Sequence, residues 1–473
     1  MLLTRLPSFP GTMDGEVGMR HATKRSGLAA LLLLAAAAPV AAQTFSYSVI
    51  DAKAPAKLWG KTSADMDGDG LTDLLVGSHA STKAGLYWYR NPDWTRTAIS
   101  TTAVVGTDIE VVDLDGNGIR DVVATTDTGG VSGITLFQLG DAGWAATALV
   151  TGYKLHDLEV ADLDADGRQD LIGRGQGSAG NRLHIWLQET PGAWTYRRVG
   201  LPAENGDGLR IADLDRDGLP DIVVPRHWLR NTSTPGVLTL TRLTYNSAAP
   251  ANGIVVVGHV DGDAALDIAV APAHRAGTFG RLSWFKGPED PAAGAIWPEM
   301  PIEDLVEADH HFLGFGDFDR DGTTDIATAM TELTTNPKIK LFLNLAGDGT
   351  FAPPQIVADT SSHSMQILEV GSDGYLSLVG ADYNRTVRTP IKLWRQVAQP
   401  ANLNRTWGER VMLATLASLQ DRAAEGMAML AGLWDPEPSL PPLDGDDGIC
   451  RADAAAPRGP GLASVGRGDP LPG

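Results

Sequence analysis

Asp65-Met66-Asp67-Gly68-Asp69-Gly70-Leu71-Thr72-Asp73, followed at once by Leu74-Leu75-Val76, decides the fold. Carboxylates at positions 1, 3, 5 and 9 of a short loop suit a hard cation that takes six to eight oxygens, which is Ca2+ rather than Mg2+. Gly70 at position 6 permits the tight turn that folds those oxygens inward. An EF-hand loop closes with Glu at position 12 between two helices; here position 12 is Val76, inside a strand-like run. The loop therefore joins two strands.

Four further copies start at Asp113, Asp162, Asp213 and Asp317. A damaged copy runs from His259 to Asp267, with Ala264 in place of Gly, and a more decayed one starts at Glu369 and ends on Ser377. The starts are 48, 49, 51, 46, 58 and 52 residues apart. A period near 50 in a chain of short Val-, Leu-, Tyr- and Trp-rich runs reads as one four-stranded propeller blade per repeat. Seven copies predict an all-β, seven-bladed propeller. The expected ligands are Asp65, Asp67, Asp69 and Asp73; Asp113, Asp115, Asn117 and Asp121; Asp162, Asp164, Asp166 and Asp170; Asp213, Asp215, Asp217 and Asp221; Asp261, Asp263 and Asp267; and Asp317, Asp319, Asp321 and Asp325. They give about five to six calcium sites, weak in blade 5 and absent in blade 7.

At these residues the chain resembles the FG-GAP/VCBS repeat family of integrin α-subunit propellers and many secreted bacterial proteins. The resemblance covers roughly residues 45 to 397. It implies the propeller and calcium, and leaves function open, because one scaffold hosts adhesins, binding modules and lyases.

The net charge of −20 is mostly calcium ligand: without the 23 Asp of the seven loops, 35 acidic residues face 38 basic ones. That balance argues against nucleic acid as a partner. Residues 1 to 42 read as a secretory signal peptide, with Met19 as its natural start, a basic segment from Arg20 to Arg25, an apolar run from Leu28 to Ala38 and small residues before Gln43. The expected location is secreted or periplasmic, with no membrane span. The lone Cys450 allows no internal disulfide, so stapling falls to metal. Residues 43 to 397 form the propeller, and Phe45 to Ile50 is expected as the outer strand of the last blade. Residues 398 to 434 hold an amphipathic helix, with Val411, Leu416, Leu419, Ala423, Met427 and Leu430 at helical spacing. Residues 435 to 473 have the composition of a disordered tail.

Histidines mark a second site. His156, His311 and His363 each lie six residues before position 1 of their loop, while His79 and His227 lie six, and His274 and Glu332 seven, after position 9. The start of the inner strand and the end of the second share the edge away from the loop, roughly 20 Å from the calcium at ~3.3 Å per residue. All seven residues are therefore expected around the mouth of the central channel. Imidazoles with a carboxylate suit a transition metal, or general acid and base chemistry beside a sugar carbonyl. Two functions follow. One is a secreted binding module that holds a glycan or a protein on that face. The other is a sugar lyase: Leu86-Tyr87-Trp88-Tyr89-Arg90-Asn91-Pro92 and the rim histidines resemble sugar dehydratases of the aldos-2-ulose dehydratase type. The binding module is the first reading.

Overall fold

The computed structural model describes residues 42–80, 84–175, 182–202, 207–273, 275–383 and 389–397. The expected signal peptide, the C-terminal helix, the tail and His274 lie outside the described residues. Apolar residues alternating with polar ones, punctuated by Gly, Asn and Asp, fold here into seven four-stranded antiparallel sheets. Blade 1 runs Leu58–Ala64, Asp73–Ser78, Gly85–Arg90 and Thr95–Ser100 from the axis outward. The inner strands of blades 2 to 7 are Val105–Val112, Asp157–Ala161, Arg210–Ala212, Gly253–Gly258, His310–Gly316 and Ser364–Glu369. Each packs on the inner strand of the next blade, and that of blade 7 packs on that of blade 1, which closes the ring. No helix among the described residues is long and apolar enough to cross a membrane.

The ring is latched by the start of the chain. Thr44–Asp51 pairs antiparallel with Ile391–Val397, Tyr47 opposite Trp394, and so forms the outer strand of blade 7. Blades 7 and 1 then share one apolar cluster, in which Leu58, Leu74, Val76 and Tyr89 meet Leu368, Val379, Ile391 and Leu393. Similar clusters join blade 1 to 2, 2 to 3, 3 to 4, 4 to 5 and 5 to 6. At ~1.5–3 kcal/mol for each fully buried Leu, Ile or Val, these lateral seams hold the blades together.

Strand alternation sorts the inner strands. The residue four places before each loop start (Lys61, Ile109, Leu158, Leu209, Val255, Leu313, Met365) is buried between blades. The positions on either side, five and three before, face the channel in most blades: Asp108, Glu110, Asp157, Glu159, Arg210, Ser364 and Gln366 line its cavity. The Asp loop joins the inner and second strands at one end. At the other end Leu58 pairs with Ser78, Asp157 with Arg174 and Ser364 with Ala381. Residues six before the loop therefore reach the opposite mouth.

A polar staple repeats between blades. At the end of the third strand a buried Asn or Gln donates its side-chain amide to the loop of the preceding blade: Asn91 to Glu369 O (2.6 Å), Asn231 to Leu163 O (2.8 Å), Asn344 to Val260 O (2.7 Å) and Gln396 to Phe318 O (2.6 Å). The backbone N–H groups of Asn91, Asn231 and Asn344 donate to the ninth residue of their own loops, Asp73, Asp221 and Asp325. Each loop is thereby tied into the seam beside it.

Candidate functional site

The Asp loops share one hydrogen-bonded geometry. Both oxygens of the first Asp accept backbone N–H groups, as Asp213 does from Asp217 (3.1 Å) and Gly218 (2.9 Å). The fifth side chain accepts the N–H two residues on, in Asp69, Asn117, Asp166, Asp217, Asp263 and Asp321 alike. The ninth Asp is fully buried in blades 1 and 3 to 6 and almost so in blade 2, and accepts the N–H of position 2. Asp221 takes it from Leu214 at 2.9 Å and Asp325 from Phe318 at 2.8 Å. Burial pushes Asp170 and Asp221 up to about 7 against these donors.

Oxygens of positions 1, 3 and 9 lie within 4.8 Å of one another in blades 1 to 4: Asp65, Asp67, Asp73; Asp113, Asp115, Asp121; Asp162, Asp164, Asp170; Asp213, Asp215, Asp221. An all-oxygen, carboxylate-rich set of this kind fits Ca2+. Blade 5 does not. His259 replaces the first carboxylate and turns Nδ1 to Ala265 O (2.9 Å), while the Lys286 ammonium lies against Asp261 and, at 3.0 Å, Asp263. Arginines also lie against the loop carboxylates of blades 1 and 4, Arg90 at 2.7 Å from Asp67 and Arg230 at 2.5 Å from Asp215, so the missing first carboxylate is what sets the blade 5 loop apart. In blade 7 Asp373 likewise meets Arg395 (2.7 Å).

At the far mouth, three of the sequence-predicted histidines come together. The His311 ring lies 4.1 Å from that of His363 and 6.4 Å from that of His156, centroid to centroid. Glu332 sits beside them, its Oε2 3.7 Å from His363 Nδ1. Trp59 completes the wall, 6.0 Å from His363 and 4.7 Å from Tyr383, with His79 edge-on at 4.9 Å. Below the rim opens a cavity of about 390 Å3, lined among others by Trp59, Asp108, Glu110, His156, Glu159 and Arg210.

Its electrostatics are uneven. His156 Nδ1 lies 3.0 Å from Asp157 Oδ1 and 3.3 Å from Asp207 Oδ1. Burial opposes charge on this imidazole, but Asp207, Asp157 and Asp108 outweigh it and push it up to about 9. The three ligand atoms of His156, Asp157 and Asp207 also lie within 4.8 Å of one another, a donor set for an imidazolium bracketed by carboxylates or for a divalent cation. Burial and the neighbouring Asp157 push Asp108 up to about 7, although it accepts the Leu158 N–H at 2.9 Å. Burial, then Glu159 and Asp108, push Glu110 well above the usual carboxylate range. Arg210 reaches Glu159 at 3.0 Å. Lys61, also in the wall, donates to Leu58 O (2.9 Å), Trp59 O (3.3 Å) and Ser364 Oγ (2.7 Å), and burial pushes it down to about 7.

His227 is a correction. It opens the third strand of blade 4 rather than ending the second, and its Nδ1 meets Thr244 Oγ1 of the fourth strand at 2.9 Å. The strand before it ends at Val224, which pairs with His227 across the turn. The sequence reading also missed Trp59, Thr107 and Asp207. These share the offset of six with the histidines, in blades 1, 2 and 4, and completing that ring across the repeats would have found them. Asp108, Glu110, Asp157, Glu159 and Arg210, at offsets five and three, follow from alternation along the same strands.

The fold and its loops define a seven-bladed propeller built from Asp-loop repeats. Residues 65–124 and 162–224 match the FG-GAP-like repeat family. Among curated proteins none matches the sequence. Solved structures similar to this chain include the exotype rhamnogalacturonan lyase YesX, at 16% identity and TM-score 0.42 over 77% of this chain and 68% of that one. Another is the Bacillus licheniformis rhamnogalacturonan lyase PL11, at 14% identity and TM-score 0.41 over 74% and 75%. A third is the V. cholerae biofilm matrix protein Bap1, at 11% identity and TM-score 0.41 over 77% and 92%.

Proposed function

We propose that this chain is a secreted, calcium-stabilised binding module that holds a saccharide at the channel mouth opposite the Asp loops. One observation carries the reading: His156, His311, His363 and Trp59 converge over a cavity of about 390 Å3. That volume lies within the ~300–1,000 Å3 of small-molecule sites. Indole and imidazole edges offer an apolar wall for a sugar ring, and the carboxylates beneath accept its hydroxyls. Calcium at the loops of blades 1 to 4 and 6 acts at the other end as a staple that keeps the blades in register. A glycan array probed with the full chain in calcium, followed by calorimetry on His311→Ala, tests the reading. Saccharide binding that His311→Ala weakens at least tenfold supports it; no saccharide bound, or unchanged binding by the variant, refutes it.

A second reading, a sugar lyase or dehydratase, is favoured by one feature. His156 and Asp108 line one cavity, the imidazole pushed up to about 9 and the carboxyl up to about 7, so that an acid and a group able to exchange a proton near neutral pH stand together. Loss of water or cleavage in bound saccharides, followed by mass spectrometry, distinguishes it from binding alone.

A further inference from the structure

The cavity wall holds more carboxylates than it has cations to meet them. Four acidic side chains line it (Asp108, Glu110, Asp157 and Glu159), with Lys61 and Arg210 as the basic ones and three histidines. Most of these charges are already matched. Asp157 faces His156 at 3.0 Å, and Glu159 faces Arg210 at 3.0 Å. The Lys61 ammonium is turned to Leu58 O, Trp59 O and Ser364 Oγ. Among the described residues the Asp108 carboxylate accepts from backbone donors alone, Leu158 N at 2.9 Å and Ile109 N at 3.1 Å, with His156 and Arg210 as its nearest opposing charges. Glu110 accepts no hydrogen bond and forms no ion pair among the described residues; Glu159 and Asp108 repel it, and Arg210, already paired with Glu159, is the one cation that attracts it.

A half-buried carboxylate flanked by like charges is costly unless a cation or a proton meets it; in the free protein a proton can do so, and a ligand cation can take that proton's place. We propose that the ligand brings that cation: the cavity is selective for an amino sugar whose ammonium sits against Glu110 and Asp108. The sugar ring then lies toward Trp59 and the histidine cluster, where its hydroxyls meet His311 and His363. A uronate would place a further carboxylate beside Asp108 and Glu110, and an N-acetylated sugar would leave both unmatched. The assignment rests on the saccharide reading above and adds the charge of the ligand to it.

Calorimetry of the full chain in calcium, against oligomers of glucosamine, of N-acetylglucosamine and of galacturonate, tests it. Expected is tightest binding of the glucosamine oligomer, weakening as NaCl rises, and a loss of at least tenfold in Glu110→Gln. The glutamine removes the charge but keeps the shape, and without the repulsion from Asp108 and Glu159 its melting temperature should match or exceed the parent's. Equal or tighter binding of the N-acetylated or uronate oligomer, with His311→Ala still deficient, overturns the charge assignment and leaves the saccharide reading standing. Binding of none of the three, together with an array that finds no saccharide, overturns both. Spermidine binding as tightly as the glucosamine oligomer also overturns the assignment, since the cavity would then recognise an ammonium without the sugar.

Discussion

Asp221→Ala should unfold blade 4 more easily whether or not calcium is present. The side chain is fully buried and joins three segments: Oδ2 accepts Leu214 N–H at 2.9 Å and Oδ1 accepts Asn231 N–H at 2.7 Å. Alanine leaves two buried N–H groups without an acceptor, each costing about 1–3 kcal/mol. It also loosens the staple that Asn231 makes with Leu163 O of blade 3. Burial holds the Asp221 carboxyl near 7, so part of the population is protonated and the loss falls toward the lower half of the sum. We expect about 2–4 kcal/mol, read as a lower urea midpoint at pH 7.5 in excess chelator with an unchanged slope. Asp217→Ala, at the fifth position of the same loop, should cost less than 1 kcal/mol in chelator and show its main effect when calcium is restored. A chelated Asp221→Ala protein within about 0.5 kcal/mol of the parent would refute the structural role assigned to the ninth residue.

Three further outcomes are expected. Chelation should lower the melting temperature, since each ion bound only to the folded state adds ~2.7 kcal/mol at a hundredfold excess over its dissociation constant; an unchanged melt in EGTA contradicts the calcium assignment. Asp67→Ala should make the melt less sensitive to calcium, whereas Asp263→Ala should not, because His259 stands where that loop's first carboxylate would be and turns to Ala265 O; calcium stoichiometry by elemental analysis checks both. His310 is fully buried, and burial, with Lys340 second, pushes it down to about 4. The unfolded chain takes up the proton near 6.5 and the folded one only near 4, so its contribution is present above about 6.5 and lost as pH falls from there to about 4. His310→Gln should remove that part of the acid dependence, about 3 kcal/mol across the window, as seen in the difference between parent and variant urea midpoints at pH 7 and pH 4.

The fold was legible because the repeat unit carries its own chemistry. Each loop must turn within nine residues and present oxygens inward, so Asp and Gly recur at fixed spacing, and the spacing counts the blades. Thr44–Asp51 could be placed in blade 7 because it precedes the first loop by too much to be an inner strand. The inter-blade staple could not be read. Asn91, Asn231, Asn344 and Gln396 act through loops 68 to 278 residues away, in another blade, which no local pattern announces. The site was half legible. The shared offset brought out His156, His311 and His363, but attention to histidine alone passed over Trp59 and Asp207 at the same offset. His227 failed because the second strand of blade 4 is two residues shorter than that of blade 1, so the count ran past its end and into the third strand.

Saccharide binding by the parent and by His311→Ala, measured side by side by calorimetry with the strongest array-positive glycan, tests the central assignment most directly. The account predicts at least a tenfold weaker affinity in the variant, with calcium content and melting temperature unchanged. Equal affinity in the two proteins would contradict it.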